Sequence, residues 1–338
     1  MRGIPWSLAR LALAGLALGF VPRADAGPAG PEVPDVRAWL GRIHEAANLR
    51  NYHGTFVVSA GGILASTRVA HYCDGRNQFE RLETLGGPMK WQLRHNDVVH
   101  TLWPKGRVAS IEQRDVLTSF PALLQGSHEA IADHYVLRVL GTDRVAGYET
   151  DVLQLSPRDA YRYGYRLWAD QRSALLLRAE VLGPTDEVLE SAAFSELSIG
   201  VKPQPESVLQ PMRQLNGWRV VRPLLTRTRL ESEGWVLRPA LPGFREISCV
   251  RRTIDSPVDS QAATAAAPAI QSIWSDGLTY VSVFIEAYEP QRHTRPMQTT
   301  MGATQTLMRR HGDWWVTLMG EVPAATLRQF ANTLERQR

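Results

Sequence analysis

The stretch that most constrains this chain is residues 51–71, NYHGTFVVSAGGILASTRVAH, in which two arms rich in β-branched and aromatic residues flank a pair of glycines. Residues 55–59 and 63–70 read as strands, and Gly61-Gly62 supplies two positions that accept positive φ at little steric cost. Such a short connection joins antiparallel strands, because a parallel pair needs a crossover of a dozen residues or more. The chain therefore opens on a hairpin and not on a βαβ unit.

The same texture continues downstream. Strand-like runs at 77–83, 89–95, 98–103 and 108–112 alternate with the turn residues Asp74-Gly75, Gly86-Gly87-Pro88, Asn96-Asp97 and Pro104-Lys105-Gly106. Apolar helical segments over 116–125 and 129–134 interrupt them, and strands resume at 135–140, 144–157, 162–169, 175–182 and 188–197. Ahead of the hairpin, Asp35 caps a helix to about Leu49, with Val36, Trp39, Leu40, Ile43 and Ala47 on one face. The sum is one large curved antiparallel sheet with a few helices on one side, a domain spanning 35–200.

At residue 201 the texture changes. Pro203, Pro205 and Pro211 predict a semi-extended linker over 201–216, since proline removes backbone donors. A smaller α+β domain then fills 217–338, with strands at 234–237, 244–253, 271–274, 279–286, 304–310 and 314–319, a small-residue loop at 256–268, and a closing helix over 323–336. The fold class is α+β, mainly antiparallel β.

Residues 1–26 combine Arg2 and Arg10 with an apolar run from Leu11 to Val21 and an Ala24-Asp25-Ala26 site, the parts of a secretory signal peptide cleaved after Ala26. The expected product is an exported, soluble protein, because the apolar run is too short to span a bilayer. Formal net charge is +4 over 338 residues, and without the leader 35 basic face 33 acidic side chains with no long basic tract, so nothing points to nucleic acid. Cys73 and Cys249 are the only cysteines. In an oxidising compartment they can pair and staple the two domains; two buried free thiols are the alternative.

Catalytic patterns are incomplete. His44-Glu45 and His128-Glu129 begin zinc-protease helices, but Asn48 and Ala132 stand where the second histidine must be. No nucleophile elbow, SxxK, phosphate loop, metal set or cofactor motif is present, so the expectation is a protein that binds and does not catalyse. Nine tryptophans after the leader suit a binding surface. A half-closed sheet holds a ligand when its apolar face is left unfilled. The candidates for that face are Phe56, Val58, Ile63, Val69, Phe79, Trp91, Leu93, Val99 and Trp103, with Phe120, Leu123 and Leu124 as a helical lid. The same residues can instead be ordinary core.

Two separated motifs carry a family resemblance. Asn51-Tyr52-His53-Gly54-Thr55-Phe56 with His71, Asp74-Gly75 and Glu80-Arg81-Leu82 is one; Trp274-Ser275-Asp276-Gly277-Leu278, Ser282-Val283-Phe284-Ile285-Glu286 and Met301-Gly302-Ala303-Thr304 form the other. In this order they resemble the MucB/RseB family, periplasmic regulators of the envelope-stress sigma factor. The resemblance implies a first domain like the unclosed barrel of the LolA/LolB lipoprotein carriers, with a lipid-sensing cavity. It also implies a partner, the periplasmic segment of a single-pass anti-sigma factor of the RseA/MucA kind, which the protein shields from regulated proteolysis and releases on sensing lipid or lipopolysaccharide. Trp274, Asp276, Trp314 and Trp315 are the candidate partner contacts, and a homo-oligomer is allowed. A periplasmic lipid or lipoprotein carrier is the alternative function.

Overall fold

The computed structural model describes residues 36–113, 120, 131–253 and 268–337. The leader, the cap Asp35, most of the 116–130 helical segments with Leu123 and Leu124, and most of the 256–268 loop lie outside the described residues. Residues 34–338 form one compact unit.

In chain order the first half contains α1 (Val36–Leu49), β1 (Tyr52–Ala60), β2 (Ile63–Cys73), β3 (Gln78–Thr84), β4 (Trp91–His95), β5 (Val98–Trp103), β6 (Val108–Gln113), α2 (Ile131–His134), β7 (Tyr135–Val145), β8 (Tyr148–Pro157), β9 (Gly164–Asp170), β10 (Leu176–Leu182) and β11 (Val188–Ile199). They build one twelve-stranded sheet, ordered β12-β6-β5-β4-β3-β2-β1-β11-β10-β9-β8-β7, in which the twelfth member is β12 (Arg219–Val221). The hairpin of β1 and β2 lies at its centre, turning through Gly61 and Gly62 at φ of 57° and 81°, the positive pair that a type I′ turn requires. The sheet is unclosed, with β7 and β12 as its edges. Helix α1 lays Trp39, Leu40 and Ile43 onto a core that includes Phe56, Val69, Leu167 and Phe194.

The segment after β11 is not the semi-extended linker that its prolines suggest. Residues 206–213 form helix α3 (Glu206–Arg213), with Pro205 at its N-cap and Pro211 inside it, and β12 then runs parallel to β6. Proline fixes a φ close to the helical value and is tolerated in a first turn. The tertiary reason is burial: Val208 is fully buried in a second cluster with Tyr72, Phe79, Leu93 and Leu102, so α3 covers one face of β2–β5. The 144–157 run also differs from expectation, because Ala146 (φ 48°) and Gly147 (φ 89°) turn the chain between β7 and β8.

The second half adds β13 (Leu225–Arg227), β14 (Trp235–Leu237), β15 (Arg245–Thr253), β16 (Pro268–Ser275), β17 (Tyr280–Ala287), β18 (Met297–Met301), β19 (Thr304–His311), β20 (Trp314–Gly320), α4 (Ala324–Thr333) and β21 (Leu334–Arg336). Seven of these strands form a sheet ordered β13-β15-β16-β17-β20-β19-β18, and β14 pairs separately with β21. Helix α4 packs Leu327 and Phe330 on Val281, Val283, Val316 and Leu318. The closing helix ends earlier than its apolar spacing suggests: Leu334 is extended (φ −77°, ψ 116°), and residues 334–336 complete a ladder with 235–237. Strand β18 (MQTTM) is exposed along its whole length, and without an apolar alternation it carries no sequence signal.

The staple between Cys73 and Cys249 is not formed; both thiols are free. Cys249 is buried in the second core beside Trp235 and Phe244, where burial and the neighbouring Glu246 push its thiol up to about 12. Cys73 ends β2 in the other sheet, its Sγ accepting the Gly75 N–H at 3.4 Å.

If α3 is part of the first-sheet fold, Val208→Ala should lower the stability of the whole chain by ~1–3 kcal/mol in urea denaturation, the range for a truncated core aliphatic. An independent linker would show no change.

Candidate functional site

Facing pairs in the ladders sort the expected cavity residues onto two surfaces. Phe56↔Thr67, Val58↔Ala65 and Gly54↔Val69 place Phe56, Val58 and Val69 together on the α1 side, and Ile63 shares their alternation but sits 60 % exposed at the hairpin tip. Tyr72↔Phe79, Arg81↔Leu93 and Trp91↔Leu102 place Phe79, Trp91 and Leu93 on the opposite side, under α3. Val99, opposite Arg94, and Trp103, opposite Val108, return to the α1 side. The candidates are therefore not one concave surface. Alternation by single residues splits them, and no sequence pattern said which set faces α1.

On the α1 side the apolar end is filled by three rings. Phe56 and Phe120 lie 5.3 Å apart, Phe120 and Phe194 5.3 Å, and Phe56 and Phe194 6.0 Å. Farther along, the same side turns polar. Tyr52 stacks on His71 at 5.2 Å, Arg94 pairs with Glu80 at 3.6 Å, and Thr101 and Ser110 are buried beyond them. His71 Nδ1 lies 2.9 Å from the Arg50 carbonyl, while Nε2 is buried without a partner; burial lowers the pKa of this ring and keeps it neutral. The face is thus amphipathic, aromatic at β1 and β11 and charged toward β3 and β4.

The second group of expected residues is also divided. Trp274-Ser275-Asp276-Gly277 is a tight turn: Asp276 Oδ1 accepts the N–H groups of Leu278 and Thr279 at 2.9 and 2.8 Å, and Gly277 takes φ 100°. That turn fixes Oδ2, which accepts the Tyr135 hydroxyl at 3.1 Å and lies 3.5 Å from Nε of Arg162. Asp276 is therefore not a surface contact; its side chain is fully buried between the two halves of the molecule. Arg162 also meets Asp159 at 3.3 Å, donates to the Pro242 carbonyl at 2.6 Å, and lies between the rings of Tyr135 and Phe244. Trp315 is buried too, stacked on His293 at 4.9 Å, because residues of β20 alternate and Trp314 takes the core side against Trp235. Trp274 is half-buried beside Phe330 and lines a groove.

Sequence reading missed the residues that join the halves. Leu278 and Ala303 from the second half belong to the first core, and Tyr161 packs on the second. Gln305 meets the Tyr163 hydroxyl at 3.5 Å, Thr326 donates to the Tyr161 carbonyl at 2.9 Å, and the Ala303 N–H reaches Glu190 at 3.4 Å. Glu190 lies close enough to Glu321 there for its charge to act on it. Burial first and Glu190 second raise Glu321 from 4.5 to about 7, and burial also raises Glu190 and Tyr165. Among the described residues no group of three or more His, Cys, Asp or Glu is placed to hold a metal ion, and no helix is long and apolar enough to cross a membrane.

Comparison with known proteins agrees with this two-part architecture. The model of the MucB/RseB N-terminal domain matches residues 35–212, and that of the MucB/RseB C-terminal domain matches 229–335. The sigma factor AlgU regulatory protein MucB of Pseudomonas aeruginosa is 28 % identical over 305 residues, 89 % of this chain and 90 % of that protein. The sigma-E factor regulatory protein RseB of Escherichia coli K12 is 24 % identical over 325 residues, 94 % of each. Among solved structures, the complex of P. aeruginosa MucA and MucB aligns with TM-score 0.67 and 25 % identity over 90 % of this chain and 99 % of that one. The crystal structure of MucB alone aligns with TM-score 0.65 and 24 % identity over 91 % of this chain and 100 % of that one. The proteins so defined are sigma-factor regulators built from an unclosed antiparallel sheet and a second, smaller one. This chain belongs to the MucB/RseB family.

The buried carboxylate at Glu321 predicts a pH dependence. Between pH 4.5 and 7 the folded chain holds a proton that the unfolded chain has lost, so this group's contribution falls as pH rises through that window and stays low above it. Glu321→Gln should be more stable than the parent at pH 8, equal to it near pH 4, and flatter in between by thermal denaturation.

Proposed function

We propose that this protein is a periplasmic regulator that binds the periplasmic segment of a membrane-anchored anti-sigma factor, shields it from the protease that begins its degradation, and releases it on sensing lipid or lipopolysaccharide. The observation that carries the reading is the pair of family matches, which cover both halves of the chain in order, together with the likeness to a MucB that is captured with MucA. On this reading binding is the activity, and no catalytic step is required of the chain.

The first sheet supports the lipid arm. An amphiphile would set its acyl chains where Phe56, Phe120 and Phe194 now meet and its charged end near Arg94 and His71, so entry requires Phe120 to move. A ligand shifts an equilibrium only by its differential affinity for two states. Repacking of that core reaches the junction directly, since Leu278 and Ala303 are part of it.

The test is calorimetry of the exported chain with the periplasmic segment of its co-encoded anti-sigma factor, with and without lipopolysaccharide fragments. The expected result is tight binding that lipid weakens at least ~10-fold, equivalent to ~1.4 kcal/mol of coupling. Lipid binding without any affinity for the segment would refute the partner and favour a carrier. Equal affinity with and without lipid would refute the sensing arm alone.

A further inference from the structure

The turns at one end of the first sheet carry an apolar rim that belongs to neither core. Residues 60–65, AGGILA, hold no polar side chain, and Ile63 and Leu64 at the hairpin tip are 60 % and 72 % exposed. A hairpin tip in water is ordinarily polar, and clustered exposed aliphatics mark a surface with a function. Three more large apolar side chains lie exposed beside this tip. The Leu85 N–H takes the Ser66 carbonyl at 2.9 Å, which sets the β3–β4 loop, with exposed Leu85 and Met89, against β2 just short of the tip. Exposed Met301 comes from the β18–β19 turn of the second sheet, and its Cα would stand 3.8 Å from a Cβ placed on Gly61. Charge at this end is divided by the hairpin. Two of the three lysines in the chain, Lys90 and Lys105, are exposed on the β3–β4 and β5–β6 connections, which the facing pairs Glu83↔Trp91 and Trp91↔Leu102 bring to this same end. The acids Asp186 and Glu187 lie across β1, on the β10–β11 turn, where the Glu187 carboxylate is held by the Thr185 N–H and hydroxyl of its own loop.

We propose that this rim seats on an anionic lipid surface, with Ile63 and Leu64 immersed among the acyl chains and Lys90 and Lys105 at the headgroups. The inference does not depend on the partner reading above, and it uses the outside of the sheet's end and not the Phe56–Phe120–Phe194 cluster. Alternation favours a lipid layer over a protein. Ile63 and Leu64 are successive residues of β2, so their side chains point to opposite faces of the ribbon, and both are bare. A partner protein laid on the hairpin covers one face, whereas a fluid layer surrounds both. The lysines supply the second signal that stable attachment to a membrane needs besides a small apolar anchor, because anionic headgroups attract exposed ammonium groups while the lysine stems lie along the apolar surface.

The experiment floats the whole exported chain, without any partner, on vesicles of phosphatidylethanolamine and phosphatidylglycerol, and repeats the measurement with phosphatidylcholine alone. Binding to the anionic vesicles should be at least ~10-fold tighter and should weaken as salt rises, because headgroup attraction is screened. The double variant Ile63→Ser, Leu64→Ser should lose at least ~10-fold in vesicle affinity with an unchanged thermal midpoint. Lys90→Glu with Lys105→Glu should abolish the preference for anionic lipid. An environment-sensitive fluorescent residue at position 64 should shift to the blue on vesicle addition and be quenched by brominated acyl chains. A parent chain that binds neither vesicle would overturn the proposal. So would vesicle binding that the Ile63, Leu64 double variant retains while position 64 stays in water, since the contact would then lie elsewhere. Self-association that the same double variant abolishes, with no vesicle binding, would overturn it in favour of contact between copies of the chain. None of these outcomes bears on the anti-sigma partner, whose binding is measured without vesicles.

Discussion

The contact on which the architecture depends is the buried pair of Asp276 and Arg162. Asp276 comes from a turn whose geometry its own Oδ1 enforces, and Arg162 comes from the chain entering β9, so neither can shift without unmaking local structure. Both side chains are fully buried, and taking two charges out of water is costly unless each finds compensation. Compensation is spread over both halves: the Tyr135 hydroxyl, the Asp159 carboxylate, the Pro242 carbonyl, and the faces of Tyr135 and Phe244. Removing one charge strands the other, which costs roughly 3–5 kcal/mol in comparable buried pairs. The pair therefore specifies one arrangement of the two sheets more than it adds net stability.

Around that pair the two cores interpenetrate. Leu278 and Ala303 cross into the first, Tyr161 reaches toward the second, and Gly302 lies against Ala60 at the tip of the central hairpin, where a Cβ would stand 2.7 Å from the alanine side chain. Glu190 and Glu321 lie at the same junction, where burial raises both carboxyls and the charge of Glu190 raises Glu321 further. A junction that is partly apolar and partly charged joins the two sheets, and on the proposed function it is the element that lipid and partner act on. Change in the Phe56–Phe120–Phe194 cluster would bias it from one side and occupancy of a partner site from the other.

Much of the fold is legible in residue order. The Gly61-Gly62 hairpin, the strand-and-turn rhythm through Leu197 and the amphipathic face of α1 are local signals, and local signals survive folding. What sequence reading misses is tertiary. Pro205 and Pro211 read as breakers, yet burial of Val208 holds 206–213 as a helix; residues 334–336 leave helical periodicity because the edge of 235–237 is open to them. The site residues were the least legible. Phe79, Trp91 and Leu93 differ from Phe56, Val58 and Val69 only by one step of alternation, and Asp276 looks like a surface turn residue until its Oδ2 is seen to meet Arg162. The Asp-Gly turn was visible in the sequence; its partner 114 positions earlier was not.

A double-mutant cycle on Arg162 and Asp276 tests the central role of this junction most directly. Denaturation of Arg162→Met, Asp276→Leu and the double variant yields their interaction energy. If the pair locks the sheets, each single variant loses several kcal/mol and the double loses much less than the sum, because no charge is left stranded. Strictly additive losses would contradict the account and would mean that the halves are held by apolar contact alone.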